Sequence, residues 1–190
     1  MQEALYRKYR PSSLDELIGQ SDAVQLISEQ IKNSNLSHAY LFSGPRGVGK
    51  TSLARIIAKT IGCDPVFDIT EIDAASHNKV DDIRELNDSV NFIASSPGKK
   101  RVFILDEVHM LSNAASNAFL KTLEEPPDHV IFILATTEPD RVIETIRSRT
   151  TQIAFKRIKN FDIINSLEMI SKAEKLSLIH ISEPTRPERI

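Results

Sequence analysis

The stretch GPRGVGKT, residues 44–51, lies between an apolar run, AYLFS (39–43), and a helical pattern, KTSLARIIAKTI (50–61). It satisfies G-x-x-x-x-G-K-[ST] in the strand–turn–helix setting that gives this pattern its meaning. Gly44, Gly47 and Gly49 allow a tight turn whose N–H groups converge on phosphate oxygens. The helix that follows adds the positive end of its dipole. Lys50 is placed to reach the β- and γ-phosphates of a nucleoside triphosphate. Thr51 offers a hydroxyl to Mg²⁺, with Ser52 beside it among the nucleotide-binding residues. The implied ligands are a nucleoside triphosphate and Mg²⁺.

Outward from this loop the chain alternates strand and helix. RVFILD (101–106) and VIFILA (130–135) are almost wholly apolar, as inner strands of a parallel sheet covered on both faces should be. ITEID (69–73) and TQIAF (151–155) read as further strands. SDAVQLISEQIKN places Val24, Ile27 and Ile31 on one stripe, with Ser21 as its N-cap. KVDDIRELNDSVNFI carries Val80, Ile83, Leu86, Val90 and Ile93 at a helical period. SNAASNAFLKTLEE stops at Pro126–Pro127, which cannot continue a helix. This alternation predicts an α/β fold with a doubly wound sheet.

After Phe155 the pattern changes to NFDIINSLEMISKAEK, one more amphipathic helix. We expect a nucleotide-binding domain over 1–157 and the start of a small helical lid domain over 158–175. The run LSLIHISEPTR (176–186) is what a transposase-type sequencing adapter would encode if read through in frame. Residues 176–190 are therefore expected to be foreign, and the native protein to be longer than this chain.

Two acids end the strand RVFILDE (101–107), at the side of an open α/β sheet where ligands bind. Asp106 is expected to hold Mg²⁺ and Glu107 to orient and polarise an attacking water. The next strand ends in ILATTEPD, where a hydroxyl beside Glu107 could position the same water; Thr137 is the first choice and Thr136 the alternative. TIRSRT (145–150) then holds two arginines with no carboxylate close behind them.

Bulk properties narrow the class. The chain has 190 residues, 41% hydrophobic and 26% charged, as in ordinary soluble domains. A net charge of −2 rules out a uniformly basic nucleic-acid surface and leaves only local patches. A single cysteine, Cys63, cannot form an internal disulfide, which fits a reducing cytoplasm. No apolar run is long enough for a membrane span, and the charged start MQEALYRKYRPSS is no signal peptide. Four of the five histidines, at 38, 77, 109 and 129, show no ligand spacing and read as structural or exposed; His180 falls in the suspect tail.

Seven segments, in order, resemble one family. They are YRKYRPSSLDELIGQ, SHAYLFSGPRGVGKTSLARIIAK, EIDAASHNKVDDIREL, KKRVFILDEVHMLS, NAFLKTLEEPP, VIFILATTEPDRV and RSRT. Together they resemble the AAA+ ATPase domain of the gamma/tau subunits of bacterial DNA polymerase III clamp loaders, over about residues 3–175. The resemblance implies a five-stranded parallel sheet of order 5-1-4-3-2. It also implies an arc of subunits with ATP at each boundary, a ring-shaped sliding clamp and primer–template DNA as partners, and no polymerase chemistry in this chain.

The family's Ser-Arg-Cys motif matches Ser148-Arg149-Thr150, with threonine in place of cysteine. Arg149 is then an arginine finger for the neighbouring subunit's ATP, and its missing partner is expected on another chain. The family's four-cysteine zinc module is absent from IGCDPVFDITEID, so no zinc is expected. The resemblance also maps an adenine pocket onto Tyr6, Arg10, Pro11 and Ile18, and DNA-backbone contacts onto Ser76, Asn78 and Lys79 before the helix near Val80. Two other readings stay open: a non-hydrolysing scaffold subunit like the delta-prime relative, and another AAA+ DNA motor such as a branch-migration helicase.

Overall fold

The computed structural model describes residues 4–96 and 98–174, which leaves the segment expected to be foreign, 176–190, and His180 outside the described residues. Arg10–Arg157 forms one compact unit, and residues 4–9 group with 158–174 in a second. The second unit holds two helices, α1 (Leu5–Lys8) and α7 (Asn160–Glu174). Its ends are tied by Glu174, whose Oε1 accepts from Lys8 Nζ (2.5 Å) and Tyr9 OH (2.6 Å).

In the larger unit the helices are α2 (Ser21–Lys32), α3 (Lys50–Thr60), α4 (Val80–Val90), α5 (Asn113–Glu124) and α6 (Glu144–Arg147). The strands are β1 (Ala39–Ser43), β2 (Ile69–Asp73), β3 (Arg101–Asp106), β4 (Val130–Thr136) and β5 (Thr151–Ala154). All strand pairs are parallel, in the order β2-β3-β4-β1-β5, the order expected. β4 is buried along its whole length, which explains its unbroken apolar run.

Side-chain alternation divides the core into two layers. Tyr40, Phe42, Ile104, Ile131 and Ile133 face α2 and α3, packing with Ile27, Leu53, Ile56 and Ile57. Leu41, Phe103, Leu105, Phe132 and Leu134 face α4 and α5, packing with Ile83, Leu86, Phe119 and Leu123. Phe119 meets Phe132 edge-on, ring centres 5.1 Å apart, a favourable aromatic geometry. Each fully buried side chain of this kind contributes about 1.5–3 kcal/mol, so the two layers hold the strand ends rigidly in register.

Two local expectations need correction. Ser21 is the first residue of α2, and its N-cap is Gln20. Gln20 caps nothing with its own side chain. That side chain instead accepts from Lys156 N (3.1 Å) and donates to Lys156 O (2.7 Å), tying α2 to the residue after Phe155. The α4 helix stops at Val90, not at Ile93, which is exposed. The chain is drawn off the helix axis because Ser95 binds the fully buried Asp68 through its N–H (2.7 Å) and its hydroxyl (2.6 Å).

Candidate functional site

The loop after β1 lies against the ends of two neighbouring strands. Gly44 N donates to Thr136 O at the end of β4 (3.2 Å), and Phe155 N donates to Ser43 O (2.7 Å). At Gly44, with φ 147°, a Cβ would sit 2.6 Å from Phe155 O, so the sheet itself demands glycine there. Gly49, with φ 99°, immediately precedes α3 and lies against Leu17, whose Cδ1 would be 3.0 Å from an added Cβ. Leu17 was not singled out from the sequence, though its neighbour Ile18 was. Gly47 differs from the other two: it is exposed, and a Cβ added to it would meet nothing within 4 Å. No close packing accounts for glycine at that position, which has a φ of 76° and lies in the turn of the loop.

Lys50 opens α3 and is buried. Its Nζ donates to Gly44 O (2.7 Å) and Pro45 O (2.8 Å), which stretches the side chain along the loop. Burial lowers its pKa below the ordinary lysine value, partly opposed by the carboxylates of Asp106 and Glu107. An ammonium has three protons, so one is left to meet a phosphate. Thr51 Oγ1 donates to Asp106 Oδ2 at 2.8 Å, although the two residues are 55 positions apart. One neutral and one anionic hard oxygen in contact fit Mg²⁺, which takes few protein ligands and completes its shell with phosphate and water. Among the described residues no three His, Cys, Asp or Glu side chains gather as a metal cluster.

Glu107 follows Asp106 with φ 50° and ψ 43°, a left-handed conformation that costs a non-glycine residue about 1–3 kcal/mol. The turn is held by Glu107 N donating to Asp106 Oδ1 (3.0 Å) and Met110 N donating to Glu107 O (2.8 Å). Its effect is to aim the two adjacent acids differently, Asp106 toward Thr51 and Glu107 toward β4 and the loop. Glu107 Oε2 accepts from Thr137 Oγ1 at 3.1 Å. Thr136, the alternative, is fully buried; its hydroxyl accepts from Glu138 N (3.0 Å) and lies 3.0 Å from His109 Nδ1. Of the two threonines, only Thr137 is bonded to Glu107.

Other residues are placed less decisively. Tyr6 is exposed in α1, Arg10 is exposed and Pro11 half-buried at the start of the larger unit, and Ile18 is exposed beside the buried Leu17. Ser76 and Lys79 are exposed before α4, and Asn78 O accepts from Ser112 N (3.2 Å). Asp82 already takes the N–H of Lys79 (3.0 Å), and Asp81 shares the first turn, so this helix end carries two carboxylates beside Lys79. Ser52 is half-buried in the first turn of α3.

The expectation that Arg149 lacks a partner in its own chain is overturned. Its Nη2 lies 2.6 Å from Glu124 Oε1, and its Nη1 donates to Thr145 O (2.9 Å). Glu124 ends α5, 25 positions earlier, and reaches Arg149 only because α5 and α6 pack side by side. Arg147 pairs with Glu144 at 3.4 Å, one turn back on α6. Two further residues at the site were missed. Arg46 Nε donates to Glu107 Oε1 (3.2 Å), and His109 is wedged among Glu107, Thr136 and Glu138. A signal for His109 existed, a histidine two residues beyond an acid pair at a strand end.

A family model described as DNA polymerase III, delta subunit, matches residues 19–71 and 66–159. The tau subunit of DNA polymerase III from Bacillus subtilis is 45% identical over 196 aligned residues, covering 93% of this chain and 35% of the relative. The chain belongs to the DNA polymerase III gamma/tau subunit family. It spans about a third of the length of that relative. The RuvB Holliday junction branch migration motor of Thermotoga maritima has the same fold, with a TM-score of 0.72 at 25% identity, over 88% of this chain and 55% of that one. A gamma subunit-related protein of DNA polymerase III from the same organism superposes with a TM-score of 0.63 at 23% identity, over 78% and 59%. The gamma/tau chain is thus an AAA+ P-loop domain, in which a loop, two acids and a threonine meet at the strand ends.

Proposed function

We propose that this gamma/tau chain binds ATP with Mg²⁺ and hydrolyses it as a subunit of a DNA polymerase III clamp loader. The observation that carries the reading is the meeting of four side chains beside the 44–51 loop. Thr51 Oγ1 lies 2.8 Å from Asp106 Oδ2, and Thr137 Oγ1 lies 3.1 Å from Glu107 Oε2. The N–H groups of the loop beyond Gly44, those of Gly47 and Gly49 included, and the Lys50 ammonium bind and orient the triphosphate, the Gly44 N–H being taken by Thr136 O. Magnesium, when held by Thr51 and Asp106 beside the nucleotide, supplies neutralisation of phosphate charge. Glu107 orients the attacking water and accepts its proton, and Thr137 holds the Glu107 carboxylate.

On this reading Arg149 serves the ATP of an adjacent subunit. Arginine suits the task because it stays charged and presents a rigid donor fork. ATP binding would draw subunits into an arc that opens a sliding clamp on primer–template DNA, and hydrolysis would release it. DNA would be held through its phosphates, without sequence preference, with Ser76, Asn78 and Lys79 as candidates. Arg10, Pro11 and Ile18 would bound the adenine, and 158–175 would begin the lid domain. The setting would be the cytoplasm; no helix among the described residues is long and apolar enough to cross a membrane.

The test pairs two variants of the full-length subunit. Lys50→Ala should abolish ATP binding; Glu107→Gln should keep binding and lose turnover. Parental turnover by Glu107→Gln would reject the assignment. A second reading is favoured by the delta name of the matched family model: a subunit that shapes the assembly without hydrolysing ATP. An assembled complex in which Lys50→Ala and Glu107→Gln change neither ATP occupancy nor turnover would select it.

A further inference from the structure

Among the described residues three side chains touch the Glu107 carboxylate, and they differ in their freedom to leave it. Arg46 is 85% exposed, so its 3.2 Å contact is of the kind that solvent makes and breaks readily. Thr137 is half-buried. The His109 side chain is only 5% exposed, and its Nδ1 lies 3.5 Å from Glu107 Oε2. That distance is long for a hydrogen bond, so the ring acts as a wall against the carboxylate, while the Thr137 hydroxyl supplies the shorter bond.

The ring is itself held from two sides. Nδ1 is 3.0 Å from Thr136 Oγ1, and Nε2 is 3.3 Å from Glu138 Oε1. Glu138 is in turn paired with Arg141 Nη1, at 3.2 and 3.3 Å. Packing alone does not require a histidine here. Its neighbours along the chain, Val108 and Leu111, belong to the apolar core, where an unsatisfied ring nitrogen would be costly. The nitrogens are satisfied by oxygens of β4 and of the loop after it, and Nδ1, which meets Thr136, is also the nitrogen nearest Glu107.

We propose that His109 is a positioning residue for ATP hydrolysis, a buried stop that fixes the rotamer of Glu107 against Thr137 and is braced by Thr136 and Glu138. The proposal rests on the reading of Glu107 as the residue that orients water. A free glutamate side chain loses rotamer freedom when it is fixed. Here that ordering precedes the reaction, as preorganised sites require. Once nucleotide occupies the loop and Arg46 moves away, His109 and Thr137 remain to hold the carboxylate.

The experiment uses the full-length subunit assembled with its partner subunits, with Mg²⁺-ATP as substrate and phosphate release as readout. His109→Leu fits the apolar surroundings and removes both nitrogens. His109→Asn keeps a nitrogen near the Nδ1 position, and His109→Gln keeps one near Nε2. The expected result is a fall in kcat of about tenfold or more for Leu and Gln. Asn should recover a substantial part of it, and ATP affinity should stay within about twofold in all three. Glu138→Gln should lower kcat in the parental background and add little beside His109→Leu, which a double-mutant cycle reads directly.

If His109→Leu does not fold, the Asn and Gln variants decide the matter between them. Parental kcat in the Leu variant, or Asn no better than Gln, would overturn the proposal. So would a parallel loss of ATP affinity and thermal stability with kcat, which marks a structural role. Glu107→Gln measured alongside separates the two readings. An active Glu107→Gln removes the basis of both, whereas an inactive one beside fully active His109 variants sinks only the role of His109.

Discussion

Arg149 and Glu124 form an ion pair, Nη2 to Oε1 at 2.6 Å, between the residue two beyond α6 and the last residue of α5. Glu124 is poorly placed on local grounds, because a carboxylate at a helix C-terminus opposes the helix dipole. The guanidinium offsets that penalty. In return, Arg149 is held within its own chain by Glu124 and by Thr145 O. Both side chains are partly exposed, 36% and 48%, so solvent weakens the pair.

The first expected outcome concerns this pair alone. Glu124→Gln should change unfolding free energy by no more than about 1 kcal/mol, the range of exposed ion pairs. Urea denaturation of the parental and variant chains measures it. A loss well beyond that range would show that the pair staples α5 to α6, with no capacity to let Arg149 go.

Arg149→Ala carries the test of action across a subunit boundary. An arginine supplied to a neighbour's phosphate contributes about 10³–10⁵ in rate in well-studied NTPases. The isolated full-length protomer should hydrolyse ATP slowly, and the substitution should leave that slow rate nearly unchanged. In the assembled complex, clamp- and DNA-stimulated turnover should fall steeply while ATP binding persists. Mixing Arg149→Ala subunits with Lys50→Ala subunits should give turnover only where an intact Lys50 faces an intact Arg149. Full stimulated turnover with every Arg149 replaced would exclude the role.

Asp68 gives a pH dependence whose sign is determined by its surroundings. Burial would raise its pKa, but the Ser95 hydroxyl and N–H, the Asp64 N–H and the Lys99 charge outweigh it, and the folded value lies below the ordinary 3.8. The unfolded chain therefore binds the proton first as pH falls. Its stabilisation is complete above about pH 3.8 and is lost as pH drops through the lower folded value. Asp68→Asn should cost about 1–3 kcal/mol at neutral pH, by weakening bonds to a buried group. It should also flatten the stability curve in acid. Denaturation series at pH 7 and below pH 4 check both, and an unchanged acid limb would contradict the assignment.

Metal content is the fourth outcome. Cys63 is buried, its thiol donates to Lys100 O (3.1 Å), and burial pushes its pKa up to about 11, so it is not disposed to act as a thiolate ligand. The purified protein should carry no stoichiometric zinc. Chelation with EDTA should stop ATP turnover without unfolding the chain, and added Mg²⁺ should restore it. One zinc per chain by elemental analysis, or unfolding on chelation, would refute this.

What the sequence determined by itself is the set of features written in short range. The phosphate-binding loop needs glycines at fixed offsets before a helix, and GPRGVGKT shows them. The buried strands show as runs such as VIFILAT because both faces of β4 are covered. The α2 and α4 helices show as periodic apolar stripes, and Asp106 and Glu107 announce themselves by standing at the end of an apolar strand. These patterns arise from backbone geometry over a few residues, so they can be read without knowing where the chain goes next.

Only the tertiary structure decided which side chains meet. Thr51 finds Asp106 across 55 residues, Arg149 finds Glu124 across 25, and Thr137, not Thr136, finds Glu107 across 30. The loop glycines divide in the same way: Gly44 is confined by Phe155 and Gly49 by Leu17, while Gly47 faces open space. The capping of α2 and the early end of α4 were likewise settled by distant partners, Lys156 through Gln20 and Asp68 through Ser95. Each of these contacts depends on the register between strands and on how helices lie against the sheet. A shift of one residue in register would turn every side chain of a strand to the other face, and nothing in the local sequence records that choice.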